Sequence, residues 1–247
     1  MSNHIDDTTN LSRFFHLNSG PWVNENPVPN APFQQKTKSY AQVDRVSLPD
    51  TQPGLVDQLA QARHSQRSFA DTPMPLTTCA ALLRTAYAAL GPSQALGNRM
   101  LRRPTPSAGG LYPLEVYALV RNVTGLAPGI YHYDAIGDDL AVLSQHNWES
   151  EGAVAFLSWD CVASAPLILC LGAEFARTQT KYGARGYRFV LFEAGHVVQN
   201  LCLAAQEQGL GSLCIGGFYD DQLNRLIGLD GEAEAAIYAV AIGAPAP

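Results

Sequence analysis

A chain of 247 residues that is 47% hydrophobic and only 15% charged can bury one large core or two small ones. Its net charge of −6 argues against nucleic acid or an anionic membrane as the main partner. The five cysteines (Cys79, Cys161, Cys170, Cys202, Cys214) are scattered, with no Cys-x-x-Cys and no Cys/His cluster. They suggest neither a metal site nor a disulfide framework and read mostly as small core residues. The first ten residues lack the basic and apolar regions of a secretory signal, and no apolar run nears membrane-spanning length, so a cytoplasmic protein is expected.

Residues 1–54 are poor in periodicity and rich in Asn, Pro and Ser, and read as an extended arm, disordered in part, ahead of a domain over 55–247. Phe14, Phe15 and Trp22 are expected to dock that arm. Leu55–Arg63 suits a short helix. Thr77–Leu90 places Cys79, Leu82, Leu83, Ala86 and Leu90 on one helical face and ends at Gly91-Pro92. Strands are expected over 115–121, 129–134 and 140–144, with a strand buried on both faces over 166–171. Tyr187–Gln208 is the longest helix, with a stripe of Val190, Leu191, Ala194, Val197, Val198, Leu201 and Ala205 and Gly209 after it. A short strand over 212–215, a helix from Asp220 to Ile227 and a last strand over 236–242 complete the pattern. Helices and strands intermix without strict βαβ repetition, which predicts an α+β fold built on one mixed sheet.

Five segments carry chemistry. In Arg63-His64-Ser65-Gln66-Arg67 the period of two sends Arg63, Ser65 and Arg67 to one side of an extended segment, a good receptor for a phosphate dianion. A solvated basic patch has the same composition. Pro106-Ser107-Ala108-Gly109-Gly110 is backbone able to approach a flat ligand closely, because paired glycines lack the Cβ atoms that would hold it away; a tight surface turn reads the same way. Ile215-Gly216-Gly217 again ends a strand in paired glycines. Lys181-Tyr182-Gly183-Ala184-Arg185-Gly186-Tyr187-Arg188 sets three cations and two phenols in an expected loop, where a Lys-Tyr pair in a dry pocket would serve as a base. Glu193-x-x-His196 has the spacing of half a di-iron site, but no other helix supplies carboxylates, so no metal is expected and His196 reads as a hydrogen-bonded core residue.

Taken together and in order, RHSQRSF, RPTPSAGGLYPLEVY, GIYHYD, KYGARGYRFVLFEAGHVVQN and GLGSLCIGGF resemble the SagB/McbC-type branch of the flavin-dependent nitroreductase superfamily, from about Phe14 to Gly243. The resemblance implies an α+β sandwich with helices flanking the sheet, an intertwined homodimer and FMN bound between the subunits. It implies that Arg63, His64, Ser65 and Arg67 hold the phosphate and ribityl region. Pro106, Ser107, Ala108, Gly109 and Gly110 would reach the flavin from the other subunit, and Ile215, Gly216 and Gly217 would line its N5 edge. Lys181 and Tyr182 fall on a motif given a catalytic role in the branch that oxidises thiazoline and oxazoline rings in ribosomal peptides. Many nitroreductases place a late basic residue on the phosphate; here the last residues are Ala244-Pro-Ala-Pro247, so Arg63, Arg67 and Arg188 are expected to share that role. Gly110 also stands where many members have Asn. Two other readings stay open: an NAD(P)H-dependent nitro or quinone reductase, and a non-catalytic flavin-binding subunit of a peptide-modifying assembly that includes a cyclodehydratase.

Overall fold

Alternation along two buried strands organises the molecule. The computed structural model describes residues 6–21, 37–92, 94 and 101–246. Strand β1 (Leu114–Val120) is central, and its successive side chains point to opposite faces. Leu114, Val116, Ala118 and Val120 enter one core; Tyr117 and Leu119 enter the other. Strand β4 (Leu167–Glu174) divides in the same way, with Leu167, Leu169 and Leu171 on the first side and Ile168 and Cys170 on the second. Burial on both faces explains why it reads as an unbroken apolar run.

Strands β1 and β4 pair directly at the centre of the sheet; β2 (Gly129–Asp134) and β3 (Asp139–Ser144) lie outside β1, and β6 (Glu234–Gly243) and β5 (Gly211–Ile215) outside β4, in the spatial order β3-β2-β1-β4-β6-β5. All five strand pairings are antiparallel. Among the described residues, the parallel pairing of the expected mixed sheet is confined to the isolated bridges Ser65–Ser212 and Met74–Val123. Helices α3 (Leu76–Tyr87) and α7 (Arg185–Glu207) cover the first face. Helices α4 (Glu149–Ala155), α5 (Trp159–Val162) and α8 (Asp220–Ile227) lie over the second, where Trp148 donates its indole N–H to the Val120 carbonyl at 2.9 Å. The result is the expected α+β sandwich.

Differences from the sequence reading cluster outside this frame. Residues Asp6–Asn18, expected as extended arm, form helix α1. It docks through Ser12, which accepts from Gln179 Nε2 at 2.8 Å, through an Arg13–Glu232 ion pair, and through His16, whose ring is 5.0 Å from that of Phe175 and 3.2 Å from the Tyr187 hydroxyl. Of the aromatics expected to dock it, Phe14 is 68% exposed, Phe15 keeps 58% of its surface exposed but sets its ring edge-on at 6.1 Å from that of Tyr187, and Trp22 lies outside the described residues. Helix α2 (Leu55–Ala62) forms as expected but buries no residue.

Candidate functional site

Edge strand β5 positions the first group of candidate residues. Helix α2 stops at Arg63, whose φ and ψ of −64° and 127° turn the chain extended. Ser65 then bridges Ser212, and the Gln66 amide donates to the Ser212 carbonyl at 2.9 Å. Residues 63–67 therefore run extended beside β5, as the period of two requires, and give its open edge a partner. Ser65 and Arg67 are exposed and Arg63 is half-buried. His64 is exposed and turned back onto its own segment, 3.2 Å from Gln66 Oε1. Further along, β5 passes through exposed Cys214 and buried Ile215 to Gly216 and Gly217. A Cβ on Gly216 would meet nothing within 4 Å, so the backbone there is open to a ligand.

The second group lies at the start of α7. Lys181 and Tyr182 end helix α6 (Phe175–Tyr182) rather than sitting in the expected loop; Gly183, with φ 56°, breaks the chain before α7 begins. Ala108–Gly110 forms a single 3-10 turn with Gly109 and Gly110 at φ 65° and 67°, a left-handed geometry that glycine adopts without penalty. The missing Cβ of Gly109 is where the two groups meet: a methyl there would sit 2.8 Å from both Lys181 Nζ and Tyr182 Oη. Gly109 thus serves the approach of the Lys-Tyr pair within one chain. Lys181 is exposed and Tyr182 half-buried, so one chain alone does not build the dry pocket expected around them.

A buried polar network fixes this turn from behind. Tyr87 donates to Glu193 Oε1 at 2.6 Å and accepts from the Leu114 amide at 3.2 Å. Burial pushes the Glu193 carboxyl up to about 7, opposed by hydrogen bonds from Ser107 and Tyr87 and by the nearby Arg103 charge. Ser107 Oγ also accepts from the Tyr112 amide at 2.9 Å, holding Tyr112 at φ 45°. The Arg103 guanidinium stacks 4.2 Å from the Tyr87 ring and 5.2 Å from that of Tyr112. Pro106 opens this turn. Glu193, Tyr87, Arg103 and Tyr112 were missed as site residues by sequence reasoning. The available signal was a carboxylate on the apolar stripe of α7, between Val190 and Val197.

His196 is a correction. It is exposed, on a different face of α7 from buried Glu193, so the pair converges on nothing. No group of three His, Cys, Asp or Glu that would hold a metal exists among the described residues.

One chain does not bring the two groups together. Arg63 faces Cys202 near the end of α7, whereas Lys181 and Tyr182 precede its start. Arg188 stays with the second group, beside Ser12, Phe15 and Arg185. It lies about 21 Å along α7 from Cys202 at 1.5 Å per residue, so within one chain it does not join Arg63. Between the groups α7 shows solvent an exposed face of Phe192, Gly195, His196 and Gln199.

Comparison with known proteins agrees with this architecture. The family described as Nitroreductase family matches residues 60–244. A protein of Methanocaldococcus jannaschii named as a nitroreductase is 34% identical over 182 residues, 74% of this chain and 88% of its own length. The microcin B17-processing protein McbC of Escherichia coli is 30% identical over 135 residues, which are 53% of this chain and 50% of McbC. A chain in the structure of the E. coli microcin synthetase McbBCD complex with truncated pro-MccB17 superposes with a TM-score of 0.76 over 98% of this chain and 94% of its own, at 21% identity. Among the described residues no helix is long and apolar enough to cross a membrane. The chain therefore belongs to the nitroreductase family, whose members are flavin-dependent oxidoreductases.

Proposed function

We propose that this protein is an FMN-dependent oxidoreductase that dehydrogenates thiazoline or oxazoline rings in a ribosomally made peptide, acting as a homodimer in which each flavin site draws on both copies. The observation that carries this reading is the convergence of Lys181 Nζ and Tyr182 Oη on the bare Cα of Gly109. A reductase fed by NAD(P)H has no need of a base at that point; ring dehydrogenation does.

The residues present suit the cofactor. Arg63, Ser65 and Arg67, extended beside β5, would hold the phosphate, with His64 at the ribityl side. Ile215, Gly216 and Gly217 would line the ring edge, where the open space at Gly216 admits a planar group. Pro106–Gly110 would close the site from the partner copy, and Arg188 would add positive charge from that side. The separation of the two groups along α7, its exposed face and the lack of any buried residue on α2 all favour a second copy seated there.

Bound FMN supplies the two-electron acceptor for the hydride leaving the ring Cβ. The chain supplies the rest. Tyr182 as the phenolate, or Lys181 as the free amine, would take the proton from the ring Cα and end as phenol or ammonium, while the other side chain would hold that base in place. The Ser107–Glu193–Tyr87 network holds the turn at a fixed distance from that pair. Resemblance to McbC favours a modified peptide as substrate and a cyclodehydratase as working partner. Lys181→Ala and Tyr182→Phe are expected to retain FMN and to lose ring oxidation by about 10²-fold or more. Full activity in both variants would overturn the assignment.

The match to the M. jannaschii protein favours a second reading, a nitro or quinone reductase on the same site. Rapid bleaching of bound flavin by NAD(P)H in the absence of peptide, with no effect of Tyr182→Phe, would select it.

A further inference from the structure

Two of the five cysteines are not inert core residues. Cys202, on the buried face of α7, and Cys214, exposed on β5, bring their sulfurs to 3.5 Å. Ser212 bonds the Cys202 sulfur, Tyr238 bonds that of Cys214, and the Arg63 charge faces both. Cys79 and Cys170, by contrast, are buried and their thiols are pushed up by desolvation. The hydrogen bond from Cys214, with Ser212 and the Arg63 charge, holds the Cys202 thiol down at about 6 and the Cys214 thiol above its usual range, so one proton is held between the two sulfurs once the other is lost, and the exposure of Cys214 admits a small oxidant. A disulfide needs the sulfurs to close by about 1.5 Å, toward a bond of roughly 2.05 Å.

The position of the pair matters as much as its chemistry. Cys214 stands midway between Ser212, paired with the Arg63–Arg67 segment, and Gly216. Four residues of strand span about 13 Å, so on the flavin reading proposed above Cys214 lies between the phosphate end and the ring end of the site.

We infer that Cys202 and Cys214 form a peroxide-oxidisable dithiol in the floor of the flavin site, which closes to a disulfide when the site is empty and is shielded when FMN is bound. The oxidant is hydrogen peroxide. Cys214, the sulfur that peroxide can reach, passes its proton across the hydrogen bond to the Cys202 thiolate and attacks one peroxide oxygen; the O–O bond breaks, the leaving hydroxide takes up a proton as water, and Cys214 is left as a sulfenic acid. The Cys202 sulfur then attacks the Cys214 sulfur, the S–S bond forms and a second water departs. Two thiols are oxidised and one peroxide is reduced to two waters.

The test treats the reduced, flavin-stripped full chain with hydrogen peroxide and counts thiols after denaturation. The count is expected to fall from five to three, with a Cys202–Cys214 cross-link in the peptide map, and Cys202→Ser and Cys214→Ser should each abolish that cross-link. Five surviving thiols, or a cross-link elsewhere, would overturn the inference. Added FMN, its binding followed independently by quenching of flavin fluorescence, should slow the cross-link at least tenfold. If FMN binds and the rate is unchanged, the thiols do not lie under the flavin and the shielding fails. If no FMN binds, the flavin reading falls with the shielding, while the peroxide arm still decides the dithiol.

Discussion

Replacing Glu193 with Gln probes the network behind the Gly109 turn through a quantity the structure sets. Glu193 is 2% exposed, and burial raises its carboxyl from 4.5 to about 7. A carboxyl raised on folding stabilises the native state most where it is protonated in both states. That contribution is complete below about pH 4.5 and is lost as pH rises through about 7. At about 1.36 kcal/mol per pH unit, the full change is about 3 kcal/mol. Glutamine keeps an oxygen for the Tyr87 hydroxyl and cannot ionise. Urea unfolding at fixed protein concentration, from pH 4.5 to 8.5, should therefore show the wild-type protein losing about 3 kcal/mol more than Glu193→Gln across the window. The difference between the two proteins isolates Glu193 from the other shifted groups, Asp220 and His16 among them. Parallel curves would refute the buried-acid account.

Two further substitutions separate strain from function and monomer from dimer. Gly109→Ala and Gly228→Ala both place alanine at positive φ, 65° and 82°, and the backbone strain alone is expected to cost each about 1 kcal/mol of stability. Only the first also collides with Lys181 and Tyr182, so thermal shifts should differ and ring oxidation should fall in Gly109→Ala alone. Phe192→Glu, on the exposed face of α7, should shift the protein to monomer in sedimentation and remove bound flavin together; loss of neither would count against a shared site.

Much of the frame was legible because period-two and helical patterns report burial directly. The strand over 129–134 and the helix from Asp220 to Ile227 coincide with the observed elements, and the double burial of β4 was visible as a continuous apolar run. Helix α1 was not, because its polar sequence has no strong apolar face and is held by Ser12, Arg13 and His16 reaching partners far along the chain. Helix α6 was hidden for a similar reason: Phe-Ala-Arg-Thr-Gln-Thr-Lys-Tyr buries only Phe175 and Thr178. The candidate site divides the same way. Its motifs stand out as short strings, but the meeting of Gly109 with Lys181 and Tyr182, and of Cys202 with Cys214, is a product of tertiary packing. No local pattern in one sequence records that a glycine and a lysine 72 positions later share a space. Leu191, expected in the buried stripe of α7, is 38% exposed beside Phe192 at 56%, an apolar surface that one copy leaves uncovered.

Native mass spectrometry of the purified protein tests the central claim most directly, because it reads cofactor and assembly in one spectrum. Two 26.6 kDa chains carrying two FMN molecules are predicted, with flavin released as the dimer dissociates. A monomer that retains FMN, or a dimer that takes up none, would contradict a flavin site built from the Arg63–Arg67 segment of one copy and the Gly109 turn of the other.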